Sequence, residues 1–272
     1  MPLVKVKDFL MGAGQPLTVI CGPCVIESET HAMETAEFLT MLMQELGIQF
    51  IYKSSYDKAN RSSYQSFRGP GVKKGLQILA RIRRDFDIPV LTDVHTPQEA
   101  VMASEVVDVI QIPAFLSRQT DLITTAGQTG SVVNVKKGQF MAPWDMQNVV
   151  DKLRATGNEK IILTDRGTSF GYNNLVSDMR AIPIMKEMGY PVCYDASHSV
   201  MQPGGLGTSS GGQRQFIPTL SRAAVAAGCD SIFIEAHPNP AEAKSDKETV
   251  YPFSGLKELL SELQRIYGIV HV

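Results

Sequence analysis

Short β-branched runs, each ending in a polar or glycine-bearing turn, alternate with segments of helical periodicity along this 272-residue chain. The runs fall at 17–24, 49–55, 89–94, 109–114, 132–137, 160–165, 191–196 and 231–236. Between the first two, Met33, Ala36, Leu39, Met43 and Leu46 share one helical face, and the pattern stops at Gly47, suited to a left-handed helix end. Thr96-Pro97-Gln98-Glu99 combines a capping box with proline at the first helical position. Leu256, Leu259, Leu260, Leu263 and Ile266 form the stripe of a last helix ending at Gly268. Nearly unbroken apolar strands separated by helices need cover on their outer face, which makes the sheet parallel. Eight such units in a chain of this length predict a closed (β/α)8 TIM barrel of the α/β class. A doubly wound open sheet is the alternative, but no G-x-G-x-x-G follows the first run. The opening residues, Val4 to Phe9 with Leu17 onward across Met11–Pro16, predict a small β-hairpin capping the barrel bottom.

One domain over 1–272 accommodates this pattern. A net charge of -2 with dispersed Lys and Arg argues against nucleic acid as a partner. No run approaches the ~18 apolar residues that span a bilayer, and MPLVKVKDFLMGAG lacks a signal-peptide core, so a cytoplasmic protein without a membrane partner is expected. Four cysteines, Cys21, Cys24, Cys193 and Cys229, are too few for a disulfide framework in so long a chain. Cys21-Gly22-Pro23-Cys24 has the C-x-x-C wording of a thioredoxin site. A low-pKa cysteine of that kind opens a helix, whereas here the run ends in a turn and helical pattern begins only near Glu29. Cys21 therefore reads as a buried strand residue.

In a parallel barrel, functional side chains project from the C-terminal ends of the strands. Those ends carry Cys24, Lys53-Ser54-Ser55, Asp93 and His95, Gln111, Lys136-Lys137, Asp165-Arg166, Asp195 with His198, and Glu235 with His237. Lysines and arginine on three ends would repel one another unless an anion sits between them. Lys58-Ala59-Asn60-Arg61-Ser62-Ser63 adds cations, an amide and hydroxyls suited to a sugar phosphate. With Arg118 and Arg166, the anion-binding groups exceed what one phosphate needs, which points to two phosphorylated substrates. Cys24, His198 and Glu235 follow runs one, seven and eight, neighbours once the ring closes. Thiolate, imidazole and carboxylate together suit a divalent Zn, Fe or Mn ion rather than Mg. Buried cysteine and hydrogen-bonded histidine are the plainer alternatives. The glycine-rich stretch Gln202–Gly212 reads as a mobile loop over this face.

The chain resembles the 3-deoxy-D-manno-octulosonate 8-phosphate synthase family over essentially its full length. The resemblance lies in Gly22-Pro-Cys-Val-Ile-Glu-Ser28, Lys53-Ser-Ser-Tyr-Asp-Lys-Ala-Asn-Arg-Ser-Ser63, Thr92-Asp-Val-His95, Gln111-Ile-Pro-Ala-Phe-Leu-Ser-Arg-Gln-Thr-Asp121, Val133-Asn-Val-Lys-Lys137, Arg166-Gly-Thr-Ser-Phe-Gly-Tyr-Asn-Asn174 and Asp195-Ala-Ser-His-Ser199. It implies a transferase that condenses phosphoenolpyruvate, arabinose 5-phosphate and water into the eight-carbon sugar acid phosphate and phosphate, toward lipopolysaccharide. It also implies that Lys53, Ser55, Lys58, Gln111, Lys136 and Arg166 hold phosphoenolpyruvate, and that Asn60, Arg61, Ser62 and Asp93 hold arabinose 5-phosphate. Arg118 would reach the sugar phosphate from a neighbouring subunit of a homotetramer. Lys53, Lys58, Asp93, Asp195 and His198 are the expected catalytic groups. Metal-independent members place asparagine after Gly-Pro; Cys24 instead resembles the metal-dependent form, and Ser245-Asp246 makes Asp246 the fourth ligand beside Cys24, His198 and Glu235. Tyr56 stands where many relatives have phenylalanine. Two rivals remain: the 3-deoxy-D-arabino-heptulosonate 7-phosphate synthase, which takes erythrose 4-phosphate and reads Lys-Pro-Arg-Thr at Lys58-Ala-Asn-Arg61, and a non-catalytic sugar-phosphate-binding barrel.

Overall fold

The computed structural model describes residues 3–61, 63–205 and 211–271. Eight parallel strands form its centre: Thr18–Gly22, Gln49–Lys53, Val90–Asp93, Val109–Ile112, Val132–Lys136, Ile161–Asp165, Val192–Asp195 and Ser231–His237. Each pairs with its successor, and Ser231–His237 also pairs with Thr18–Gly22, so the ring closes as expected. Helices lie between the strands and cover the ring. Each strand end falls within two residues of its sequence expectation, because β-branched runs stop where polar and glycine residues start.

Side-chain parity separates the two faces of the ring. Val19, Cys21, Tyr52, Val90, Ile110 and Val133 point out and pack under the helices. Cys21 is thus a buried strand residue, and all four cysteines are free and buried. Inside, Ile20, Ile51, Leu91, Val109, Val132, Ile162, Cys193 and Phe233 form an apolar layer. Two residues further along each strand, the same inward face carries Gly22, Lys53, Asp93, Gln111, Asn134, Thr164, Asp195 and Glu235. One step of the strand period therefore converts a packed plug into a polar mouth.

The N-terminal hairpin exists, with a different partner from the one expected. Val4–Val6 pairs antiparallel with Phe9–Met11, turning at Lys7-Asp8, while the stretch from Leu17 onward supplies the first barrel strand. Val-Lys-Val and Phe-Leu-Met on either side of a charged two-residue turn suffice for the ladder, and Leu17 onward is claimed by the ring. Val4, Val6 and Met11 close the apolar layer from below.

Helix Glu29–Leu46 begins after Ser28, whose hydroxyl accepts from His31 N, and ends at Gly47 with φ 63°. Helix Pro97–Ser104 has Thr96 as its cap, accepting from Glu99 N, but the reciprocal arm is shifted: Glu99 Oε2 accepts from His95 N at 2.9 Å. The last helix, Phe253–Val270, runs past Gly268 instead of stopping there. Glycine tolerates helical dihedrals, and Gly268 is not among the glycines with positive φ, so the helix continues through it. Of the stretch Gln202–Gly212, residues 206–210 lie outside the described residues, and the loop reading falls largely on them. Its two ends are clipped together, Met201↔Gly212 and Gln202↔Gly211.

Candidate active site

The polar mouth opens into a cavity of about 590 Å³. Lys53, Lys58, Asn60, Arg61, Asp93, Gln111, Lys136, Arg166, His198 and Asp246 all line it. Convergence of residues almost 200 positions apart follows from ring closure alone. Gly22 makes the approach possible at the first strand end: a Cβ there would lie 1.9 Å from Lys53 O. Ser62, also expected at the site, lies outside the described residues.

Cations and carboxylates interleave across the mouth. Lys53 Nζ donates to Glu235 Oε1 at 2.7 Å and to Cys24 O at 3.2 Å, and lies 3.8 Å from Asp93 Oδ2. Lys58 Nζ is 3.7 Å from Glu235 Oε1. Lys136 Nζ donates to Asp195 Oδ2 at 2.6 Å and sits 3.6 Å above the centre of the Phe233 ring. Asp93 accepts from Ser55 Oγ and Gln111 Nε2, and a chain continues through Asn134 Nδ2 to Gln111 Oε1 at 2.9 Å and Thr164 Oγ1 to Asn134 Oδ1 at 2.6 Å. The sequence argument required an outside anion to relieve repulsion among these cations. The protein supplies the counter-charge itself, from Asp93, Asp195 and Glu235.

Burial pushes the Glu235 carboxyl up, yet Lys53, Lys58, His198 and Lys136 together hold it well below the ordinary value. Asp93 follows the same pattern, burial opposed by Lys53, Lys58 and Lys136. So does Asp195, where His198 and Lys136 outweigh burial. These carboxylates stay ionised in a nearly water-free layer because cations face them. Arg166 is buried, donates to Gln139 Oε1 at 3.2 Å, and is shifted down by desolvation. Lys137 belongs elsewhere: fully buried, it lies 3.3 Å from Asp165 Oδ1 and donates to Met141 O and Gly167 O, tying loops rather than facing the mouth. Arg118 is exposed and does not line the cavity.

At the closing seam, ligand atoms of Cys24, Glu235 and Asp246 lie within 4.8 Å of one another. Cys24 Sγ is 3.1 Å from Asp246 Oδ2 and 2.9 Å from Ser245 Oγ. His198 Nδ1 faces Asp195 Oδ2 at 2.8 Å, so this nitrogen carries hydrogen and Nε2 is presented to Glu235 Oε2 at 3.6 Å. Glu235 Oε2 is buried without a hydrogen-bond partner. An unsatisfied carboxylate oxygen facing an imidazole nitrogen, beside a thiol and a second carboxylate, is a donor set fitted to a borderline divalent cation. Burial raises the Cys24 thiol well above its ordinary value, and Asp246 and Glu235 add to the rise. A bound cation would reverse that balance.

Several groups at and beneath the cavity were not singled out from the sequence. Asn134 and Thr164 do not line the cavity but continue the polar layer under it, and were visible as polar residues inside apolar runs with the inward parity of Lys136. Lys244 and Lys247 line the mouth from the segment around Asp246, and nothing local marks them as different from surface lysines.

A family model described as the DAHP synthetase I family matches residues 2–268. The chain belongs to that family. It is 58% identical over 270 residues to the 2-dehydro-3-deoxyphosphooctonate aldolase of Protochlamydia amoebophila (strain UWE25), covering 99% of this chain and 98% of the relative. Proteins of the same name from Francisella tularensis subsp. holarctica (strain LVS) and Geobacter metallireducens are 56% and 55% identical over 267 residues. Each match spans 98% of this chain, with 97% and 98% of the respective relatives covered. For this member of the DAHP synthetase I family, similarity therefore runs through every strand end that builds the mouth.

Proposed function

We infer that this chain is an enzyme of aldol-type condensation, joining phosphoenolpyruvate, D-arabinose 5-phosphate and water into 3-deoxy-D-manno-octulosonate 8-phosphate and phosphate, a step of lipopolysaccharide inner-core synthesis. The observation that carries the reading is near-complete coverage at 55–58% identity by proteins named 2-dehydro-3-deoxyphosphooctonate aldolase. The family description carries the name DAHP synthetase, but Lys58-Ala-Asn-Arg61 stands where the heptulosonate rival reads Lys-Pro-Arg-Thr. The cationic cavity supports two phosphorylated substrates at once.

In the reaction, the enol carbon of phosphoenolpyruvate bonds to the aldehyde carbon while a water oxygen bonds to the carbon bearing phosphate. The resulting hemiketal phosphate loses inorganic phosphate to leave a ketone. Lys53, Lys58, Lys136 and Arg166, with Ser55 and Gln111, hold the carboxylate and phosphate of phosphoenolpyruvate. Their charge is worth most in a site shielded from water. Asn60, Arg61, Ser62 and Asp93 orient the sugar, and Arg118 serves the mouth of a neighbouring subunit in a homotetramer. Asp195 fixes the His198 ring. Cys24, His198, Glu235 and Asp246 would hold a divalent Zn, Fe or Mn ion, which would supply polarisation of an aldehyde oxygen or a lowered pKa for water. No helix among the described residues is long and apolar enough to cross a membrane, which accords with work in the cytoplasm.

Phosphate release, with both aldehydes offered separately, tests the reading. Arabinose 5-phosphate should exceed erythrose 4-phosphate by about 100-fold or more in kcat/KM. Chelation or Cys24→Ala should cut turnover by about 100-fold or more, with metal re-addition restoring only the parent. A preference for erythrose 4-phosphate would reject the substrate assignment, and full activity after exhaustive chelation would reject the metal.

A further inference from the structure

Next to the mouth, and outside its lining, lies a second group of metal-ligand types. Glu27, His31 and His237 present ligand atoms within 4.8 Å of one another. His237 is buried, and its ring meets that of His31 with centroids 4.8 Å apart. Hydrogen-bond accounting decides what this group does. His237 Nδ1 accepts from Asn239 N at 3.0 Å, so in the neutral ring the hydrogen sits on Nε2. That nitrogen makes no hydrogen bond, lies 3.5 Å from Glu27 Oε1 in charge–dipole contact, and has no lone pair for a cation. Glu27 Oε1 also accepts from Lys244 N at 2.9 Å. The carboxylate therefore joins the end of the last barrel strand to the segment that follows it, from the first strand's side of the seam.

We propose that Glu27 is a positioning residue, a clasp that holds Lys244–Asp246 against the first strand end and so sets Ser245 and Asp246 beside Cys24. Asp246 has φ 48°, a left-handed conformation closed on its C-terminal side by Thr249 N and Val250 N, which donate to Asp246 O at 2.8 and 3.1 Å; the Glu27 bond to Lys244 N fixes the side that leads into it. Besides the Cys24 contacts with Ser245 and Asp246, Arg61 ties this segment from the cavity side, donating to Lys244 O at 3.4 Å and to Asp246 Oδ1 at 3.3 Å. Arg61 lines the cavity and is assigned to substrate, so that tie competes with substrate for the guanidinium. The Glu27 tie lies behind the site and persists. The consequence for metal affinity rests on the four-ligand reading above; the clasp itself does not.

Two measurements on metal-stripped, full-length protein separate these. In the first, iodoacetamide modifies Cys24, followed by mass analysis of its peptide; Cys24 is itself buried, so its alkylation reports loosening of the Ser245–Asp246 cover, and Cys21, Cys193 and Cys229, buried away from that cover, serve as internal controls. In the second, Co²⁺ is titrated and the thiolate-to-cobalt absorption followed. Glu27→Ala should raise the Cys24 alkylation rate about tenfold and weaken Co²⁺ binding by about 10- to 100-fold. Glu27→Gln keeps an acceptor oxygen for Lys244 N and should stay within about threefold of the parent on both. His237→Phe retains the ring packing, loses the donor, and should shift both in the direction of Glu27→Ala. Parental alkylation and affinity in Glu27→Ala would overturn the clasp, as would two Co²⁺ ions bound per parent chain. A parent that binds no Co²⁺ while alkylation still responds to Glu27→Ala would support the clasp and reject the metal reading.

Discussion

Gly22 carries more of the site than its missing side chain suggests. With Lys53 O only 1.9 Å from where a Cβ would sit, any other residue forces the first two strands apart at their ends. Lys53 then loses its place between Glu235 and Asp93. Gly22→Ala should destabilise the fold by about 1–3 kcal/mol, read as a lower urea midpoint at unchanged slope. An unshifted midpoint would mean the strands yield without strain. The sequence marked Gly22 only as part of a motif, since a close backbone approach leaves no trace in residue order. The nearby Lys137 shows the converse. It adjoins Lys136 in sequence, but strand parity turns it from the mouth toward Asp165 and two loop carbonyls.

Among the elements, helix Pro97–Ser104 is the clearest case of local chemistry fixing a boundary. Thr96 Oγ1 accepts from Glu99 N at 3.2 Å, and Glu99 Oε2 gathers His95 N, His95 Nδ1 and Tyr56 OH, the last at 2.6 Å. Thr96→Ala should cost about 1 kcal/mol in urea unfolding, since one helix-end N–H loses its partner. A change near zero would show that Glu99 alone secures the turn. The Tyr56 hydroxyl, at a position where many relatives have phenylalanine, thus has a definite partner in Glu99. Strand and helix positions were legible because periods of two and of about 3.6 are written directly in apolar spacing. Gly268 misled because a glycine ends a helix only where it takes the left-handed conformation, as Gly47 does with φ 63° and Gly268 does not.

The molecule as a whole is held together at its centre by charges that the unfolded chain does not pair. Asp93, Asp195 and Glu235 are all held below their ordinary values when folded. Unfolded, such carboxyls take up protons near pH 4; folded, they do so only at lower pH. In that window the unfolded state binds more protons, so stability is full above it and falls as pH falls. The thermal midpoint should therefore hold steady near neutrality and drop steeply between about pH 5 and about pH 3. A midpoint flat through that range would contradict the buried ion-pair layer.

Apolar periodicity alone determined that eight strands would alternate with helices, and strand-end chemistry alone determined which residue types would gather, because both are properties of neighbours along the chain. Ring closure decided the rest. It set Cys24 against Asp246, turned Lys137 away from the mouth, and gave the lysines carboxylate partners that sequence reasoning had sought in a ligand. It also tied Glu27 to Lys244 across 217 positions. Partners so far apart are chosen by the geometry of the closed barrel, where distance in sequence carries no information about distance in space.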